Sequence, residues 1–153
     1  MRSSKRVSLC DERVPEGILF LCVANSARSQ IAEGIARTLA PPGIRISSAG
    51  SRPAAIHPLA VQVLAEVGID ISEAESTDVD DVDEDSVDLV VTLCDQEVCP
   101  VWLAAAWTLH WPLPDPAAAP EEVRLQAFRV VRDVLRVRLE RLFRGELEEV
   151  GDG

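Results

Sequence analysis

Short unbroken apolar runs alternate along the chain with segments whose apolar residues recur every three or four positions. Ile18 to Cys22 is continuously apolar, as suits a strand covered on both faces of a parallel sheet. From Gln30 to Ala40 the apolar positions Ile31, Gly34 or Ile35, and Leu39 share one side of a helix, which Pro41-Pro42-Gly43 stops. Ile44 to Ser48 alternates weakly and runs into "SAGS", a second strand entering a loop. Pro58 suits a first helical turn, and Leu59, Val63, Leu64 and Val67 followed by Gly68 mark a second helix with its stop. A third buried strand, Val87 to Leu93, emerges from the acidic stretch Asp78 to Asp88. Thr108 to Trp111 reads as a short fourth strand ended by Pro112, Pro114 and Pro116. Glu121 to Arg144 is a long amphipathic helix with Val123, Phe128, Val131, Leu135, Leu139 and Leu142 near one face.

This order predicts an α/β domain built on a four-stranded parallel sheet flanked by helices in three layers. Ligands of such folds sit at the carboxyl ends of strands, where Cys22, Cys94 and Asp115 all fall. The 153 residues suffice for one core and are too few for two comfortable ones, so a single domain is expected over 17–146. Residues 1–16, with mixed charge and no periodicity, read as a flexible extension, and 147–153 as an acidic tail. The net charge of −11 argues against nucleic acid or an anionic membrane as partner. No apolar run has the length of a membrane span or of a signal peptide, so a cytoplasmic protein is expected. In that compartment four cysteines point to reactive or metal-binding thiols before a disulfide framework.

The loop after the first strand carries the most specific chemistry. In "CVANSARS" five residues separate Cys22 from Arg28, and a helix follows at once. Backbone N–H groups of Val23, Ala24, Asn25, Ser26 and Ala27 can converge there on one anion, helped by the positive end of the helix dipole. Arg28 offers a planar cationic fork to a tetrahedral oxyanion, and Ser29 can donate to the Cys22 sulfur. The same field favours the thiolate, which makes Cys22 a nucleophile towards the centre of a bound oxyanion. The bland reading, a buried strand-end cysteine near a surface arginine, leaves this spacing unexplained. A nucleotide-binding glycine loop fits worse, since the segment contains no glycine and no lysine.

"CVANSARS" resembles the Cys-x5-Arg-Ser loop of low-molecular-weight protein tyrosine phosphatases and of the thioredoxin-coupled arsenate reductases that share their fold. The resemblance continues through "SSAGS", "HPLAVQVLAEVGIDIS", "VVTLCDQEVCP" and "WPLPDPA", and so covers nearly all of Ile18 to Phe143. Phosphate ester hydrolysis moves no electrons and has no use for the pair in "CDQEVC", whereas arsenate reduction needs two electrons. The likeness to the reductases therefore implies a relay in which Cys22 attacks arsenic, Cys94 attacks the Cys22 sulfur with release of arsenite, and Cys99 takes over the disulfide for reduction by thioredoxin. A low-molecular-weight thiol is the other reductant to consider. Many reductases of this family space the second and third cysteines more widely than the four residues here, which leaves less slack for the last exchange.

By the same resemblance Asp115, in "LPDPA", would protonate the departing hydroxide, although Asp-Pro is also a common turn. Ala117 stands where the phosphatases keep an aromatic residue for phosphotyrosine, which favours a small inorganic substrate. No tightly bound cofactor is implied except a potassium ion, held in some reductases by residues matching Asn25, Glu33, Ser48 and Asp78. Asn25 read on its own is a loop brace, and Glu33 a solvated residue. A metal on Cys94 and Cys99 lacks a second close ligand pair. Cys10 reads as incidental, His57 and His110 as structural, and Trp102, Trp107 and Trp111 as core. The remaining readings are a phosphatase with a regulatory cysteine pair, and a non-catalytic module that senses arsenite or oxidation. A monomer is expected.

Overall fold

A computed structural model describes residues 15–95, 102 and 106–145. The elements run β1 (Gly17–Cys22), α1 (Arg28–Leu39), β2 (Arg45–Gly50), α2 (Pro58–Ala65), β3 (Leu89–Thr92), β4 (Trp107–His110) and α3 (Glu121–Phe143). The strands form one parallel sheet in the order β2-β1-β3-β4. β1 is central, with Leu19 opposite Ser47 on one side and opposite Val90 on the other. All six of its residues are buried, which is why its sequence shows no alternation.

Ile18, Phe20, Val91 and Leu109 face a core closed by Ile31 and Ile35 of α1, Val63 and Leu64 of α2, and Phe128, Val131, Leu135, Leu139 and Leu142 of α3. The opposite face, Leu19, Leu21, Ala49 and Val90, packs against Val79, Val82 and half-buried Trp102. The acidic stretch makes this second cover possible. Asp78 and Asp83 cap two 3-10 turns, their carboxylates accepting the N–H groups of Asp80 and Asp85, and so fix the valines between them. Asp88 accepts the N–H groups of Glu16 and Gly17 at 3.0 Å and anchors the start of β1.

The expected strands and helices are all present, with ends that agree to within two residues. Two packing details differ from the sequence pattern. Val123 lies outside the apolar stripe of α3 and is 52% exposed, because the helix turns its first residues to solvent. Trp111 is fully core, whereas Trp107 and Trp102 are half-buried. Gly34 permits α1 to lie against α2 and its following loop: a Cβ there would meet Leu64 Cδ1 at 2.8 Å and Ile71 Cγ2 at 3.1 Å.

Candidate active site

Cys22 closes β1 with its thiol free and only 2% exposed. The chain then turns through Asn25, whose φ of 51° lies in the left-handed region that asparagine tolerates. The loop carbonyls all point outward into bonds: Val23 O accepts from Arg52 N–H at 2.8 Å, Ala24 O from Ala54 N–H at 2.9 Å, and Ser26 O from His57 N–H at 2.9 Å. Asn25 O accepts from the Ser76 hydroxyl and the Gln30 side-chain amide. With the carbonyls tied outward, the loop N–H groups are left for the interior, the polarity an anion needs. Ala27 contributes no side-chain cap to α1, so the positive end of the helix also faces the loop.

Gly50, at the end of β2, permits this curl. A Cβ there would lie 2.4 Å from Val23 O and 2.9 Å from both Asn25 N and Cys22 O. Only a residue without a side chain fits under the loop. "SSAGS" drew notice in the sequence without revealing that role, because nothing local marks a clash with a segment 25 residues away.

The Cys22 sulfur lies 2.8 Å from Ser29 Oγ. Ser29 Oγ in turn accepts from Asn25 Nδ2 at 2.7 Å, so its own proton is available to the sulfur. The second proton of the same amide goes to Ser48 Oγ at 2.9 Å, and the Ser48 hydroxyl donates to Glu33 Oε1 at 2.5 Å. Asn25 Oδ1 accepts Thr77 N–H at 2.8 Å, which fixes the orientation of the amide.

Arg28 is 4% exposed, and its Nη1 donates to Leu113 O at 2.9 Å and to Leu93 O at 3.4 Å. Those carbonyls precede Asp115 by two residues and Cys94 by one. The arginine thus ties the loop to both segments as well as carrying its charge, a role the sequence did not reveal. Leu93 N donates to Leu21 O at 2.9 Å, so Cys94 follows the residue paired with the one before Cys22. Cys94 is 1% exposed and disulfide-bonded, and the free Cys22 is not its partner. Cys99 and Cys10 lie outside the described residues. Asp115 is exposed, its carboxylate accepting Ala117 N–H at 3.0 Å, and with Asp95 it lines a cleft of about 690 Å³ whose wall is apolar.

The two histidines are structural, as expected. His57 Nδ1 accepts Leu59 N–H to cap α2, with its ring 4.7 Å from that of Phe128, and His110 pairs with the Thr92 hydroxyl at 2.6 Å.

Of the four residues matched to a potassium site, Asn25, Ser48 and Glu33 form one chain of bonds, and none of these joins Asp78 to it. Their oxygens are engaged by protein donors, and Arg37 Nη2 sits 2.6 Å from Glu33 Oε2, where a cation would compete for the carboxylate. The side chains as placed do not present a free set of oxygens to a metal ion.

Residues 17–151 match the family model of the low molecular weight phosphotyrosine protein phosphatase. The chain is 37% identical over 127 residues to a glutaredoxin arsenate reductase of Synechocystis, covering 82% of this chain and 94% of that one. It superposes with a TM-score of 0.72 on a solved arsenate reductase in the oxidized state, at 35% identity over 83% of this chain and 95% of the other. It also superposes with a TM-score of 0.57 on a thioredoxin-dependent arsenate reductase of Corynebacterium glutamicum, at 30% identity over 79% of this chain and 58% of that one. With the anion loop built as described, the chain belongs to the low molecular weight phosphotyrosine protein phosphatase family, and the relatives it resembles here are arsenate reductases.

Proposed function

We propose that this protein reduces arsenate to arsenite by a thiol-disulfide relay that starts at Cys22. The observation that carries this reading is the pairing of two different thiols at neighbouring strand ends. Cys22 is free inside an anion-shaped loop, and Cys94 is disulfide-bonded beside it. The loop N–H groups and Arg28 hold the oxyanion, and the Cys22 thiolate forms a sulfur–arsenic bond as hydroxide leaves, with Asp115 as proton source. Cys94, freed from its own disulfide by the external dithiol before the cycle begins, then attacks the Cys22 sulfur as a thiolate. The sulfur–arsenic electron pair passes to arsenic, which departs as arsenite, and a Cys22–Cys94 disulfide remains. Attack by Cys99 on Cys94 returns the Cys22 thiolate and leaves the disulfide where an external dithiol reduces it.

Arg28 links the anion loop to the second thiol, since the carbonyl its Nη1 reaches at 3.4 Å belongs to Leu93, the residue before Cys94. For the reductant, the likeness to a thioredoxin-dependent enzyme favours thioredoxin, and the likeness to a glutaredoxin enzyme makes glutaredoxin with glutathione the second candidate.

The test is NADPH consumption by the purified protein with arsenate, run with thioredoxin and its reductase and separately with glutaredoxin, glutathione and its reductase. Cys94→Ser should abolish arsenate turnover and spare any cleavage of para-nitrophenyl phosphate, which needs only the cradle and Cys22. Phosphatase activity without arsenate turnover in either system would establish a phosphatase with a redox-regulated cysteine pair instead. Tight arsenite binding without either activity would indicate a sensor.

A further inference from the structure

Directly behind the anion loop, the protein supplies a cation of its own. The Arg37 guanidinium donates to Glu33 Oε2 through Nη2 at 2.6 Å and Nε at 3.0 Å, and Nη2 also reaches Ile46 O at 2.8 Å. Because β2 is an edge strand, that carbonyl lies on the side β1 does not pair. An ordinary ion pair four residues apart on an exposed helix contributes little. This one differs in what its carboxylate does next. Glu33 is only 18% exposed, and its other oxygen takes the proton of Ser48.

A carboxylate can only accept, so Ser48 must donate to it and accept from Asn25. Asn25 must then present its amide protons to Ser48 and Ser29, and Ser29 is left with its proton for Cys22. Each donor points from the sulfur's side of the network towards Glu33 or towards the sulfur itself, and Glu33 is the sink that makes this assignment unique at Ser48. An uncompensated carboxylate under the loop would oppose a thiolate in it. Arg37 cancels that charge from the solvent side while leaving Oε1 to Ser48.

We propose that Arg37 is the built-in counter-cation of the loop support: the guanidinium does the work a bound monovalent ion would do at Glu33, Ser48 and Asn25, and the wild-type protein needs no potassium there. Arg37 is a positioning residue, acting on Cys22 through Glu33, Ser48, Asn25 and Ser29.

The test uses thermal melting and the rate of Cys22 alkylation by iodoacetamide, measured on the reduced full chain with Cys94 and Cys99 replaced by serine, in potassium chloride and in choline chloride at equal ionic strength. Neither readout involves arsenate, so the result stands apart from the proposed reaction. The parent protein should give the same melting temperature and rate in both salts. Arg37→Ala should melt a few degrees lower in choline and alkylate Cys22 roughly twofold more slowly. Potassium should restore most of both losses by entering beside the freed Glu33, and Arg37→Lys should restore them without potassium. Adding Glu33→Gln to Arg37→Ala should abolish the response to potassium. Potassium stabilising the parent over choline would overturn the proposal, because the site would then take an ion with Arg37 in place. Equal losses in both salts for Arg37→Ala, without rescue by lysine, would overturn it too, since Arg37 would then act only through its packing.

Discussion

Replacing Gly50 by alanine tests whether the loop has the shape described. The added Cβ would stand 2.4 Å from Val23 O, and ordinary contact begins near 3.4 Å, so that carbonyl must retreat by about 1 Å. Asn25 N and Cys22 O, both at 2.9 Å, must give by about 0.5 Å. All three atoms are backbone, so no side-chain rotation relieves the overlap. Val23 O is also held by Arg52 N–H, and retreat costs that bond or moves its donor. Overpacking of this kind costs about 1–3 kcal/mol of stability. A displacement near 1 Å in a group that positions substrate can lower kcat/KM by about 10²-fold. The assay is protection of Cys22 from alkylation by inorganic phosphate, with arsenate turnover alongside. Gly43→Ala is the control, since φ at Gly43 is +94° with nothing within 4 Å of a Cβ: it should lose stability through backbone strain and leave the loop alone. Gly50→Ala should lose phosphate protection at least tenfold while Gly43→Ala retains it. Equal phosphate protection in the two variants would refute the geometry.

Three further outcomes follow from the same structure. Ser29→Ala removes the hydroxyl 2.8 Å from the Cys22 sulfur, and alkylation of Cys22 near neutral pH should slow by about tenfold, as expected for a lost hydrogen bond to a charged group. Gly34→Ala pushes a methyl group against Leu64 and Ile71 and should lower the unfolding free energy from urea melts by about 1–2 kcal/mol, the flexible end of Leu64 keeping the cost moderate. The Arg129 and Arg132 guanidiniums beside Glu66 lower its carboxyl from 4.5 to about 2. A carboxylate held low in the folded state stabilises above its unfolded value and loses that contribution as pH falls towards the folded one. The stability difference between the wild type and Glu66→Gln, from urea melts, should therefore be full above about pH 5 and shrink between 4.5 and 2.

What the sequence by itself determined is local in origin. A buried central strand must be apolar throughout, helices show their period, and Pro58, Gly68 and Pro41-Pro42-Gly43 mark ends through fixed or permissive backbone angles. Cys22, Arg28 and Ser29 were legible because a strand, a loop of five residues and a helix place them together whatever the rest of the chain does. Tertiary structure decided everything that depends on segments far apart in sequence. Gly50 is required because β2 passes under the loop, and Gly34 because α1 and α2 touch. Arg28 meets the carbonyls of Leu93 and Leu113 only because β3 ends beside β1 and β4 ends beside β3. Glu33 reads in sequence as a solvated helix residue. Its role at Ser48 exists because parallel pairing of β2 with β1 sets Ser48 opposite Phe20, close to the loop that begins two residues further on at Cys22. Hydrogen-bond direction and charge compensation are properties of such assembled neighbours, and no spacing along the chain encodes them.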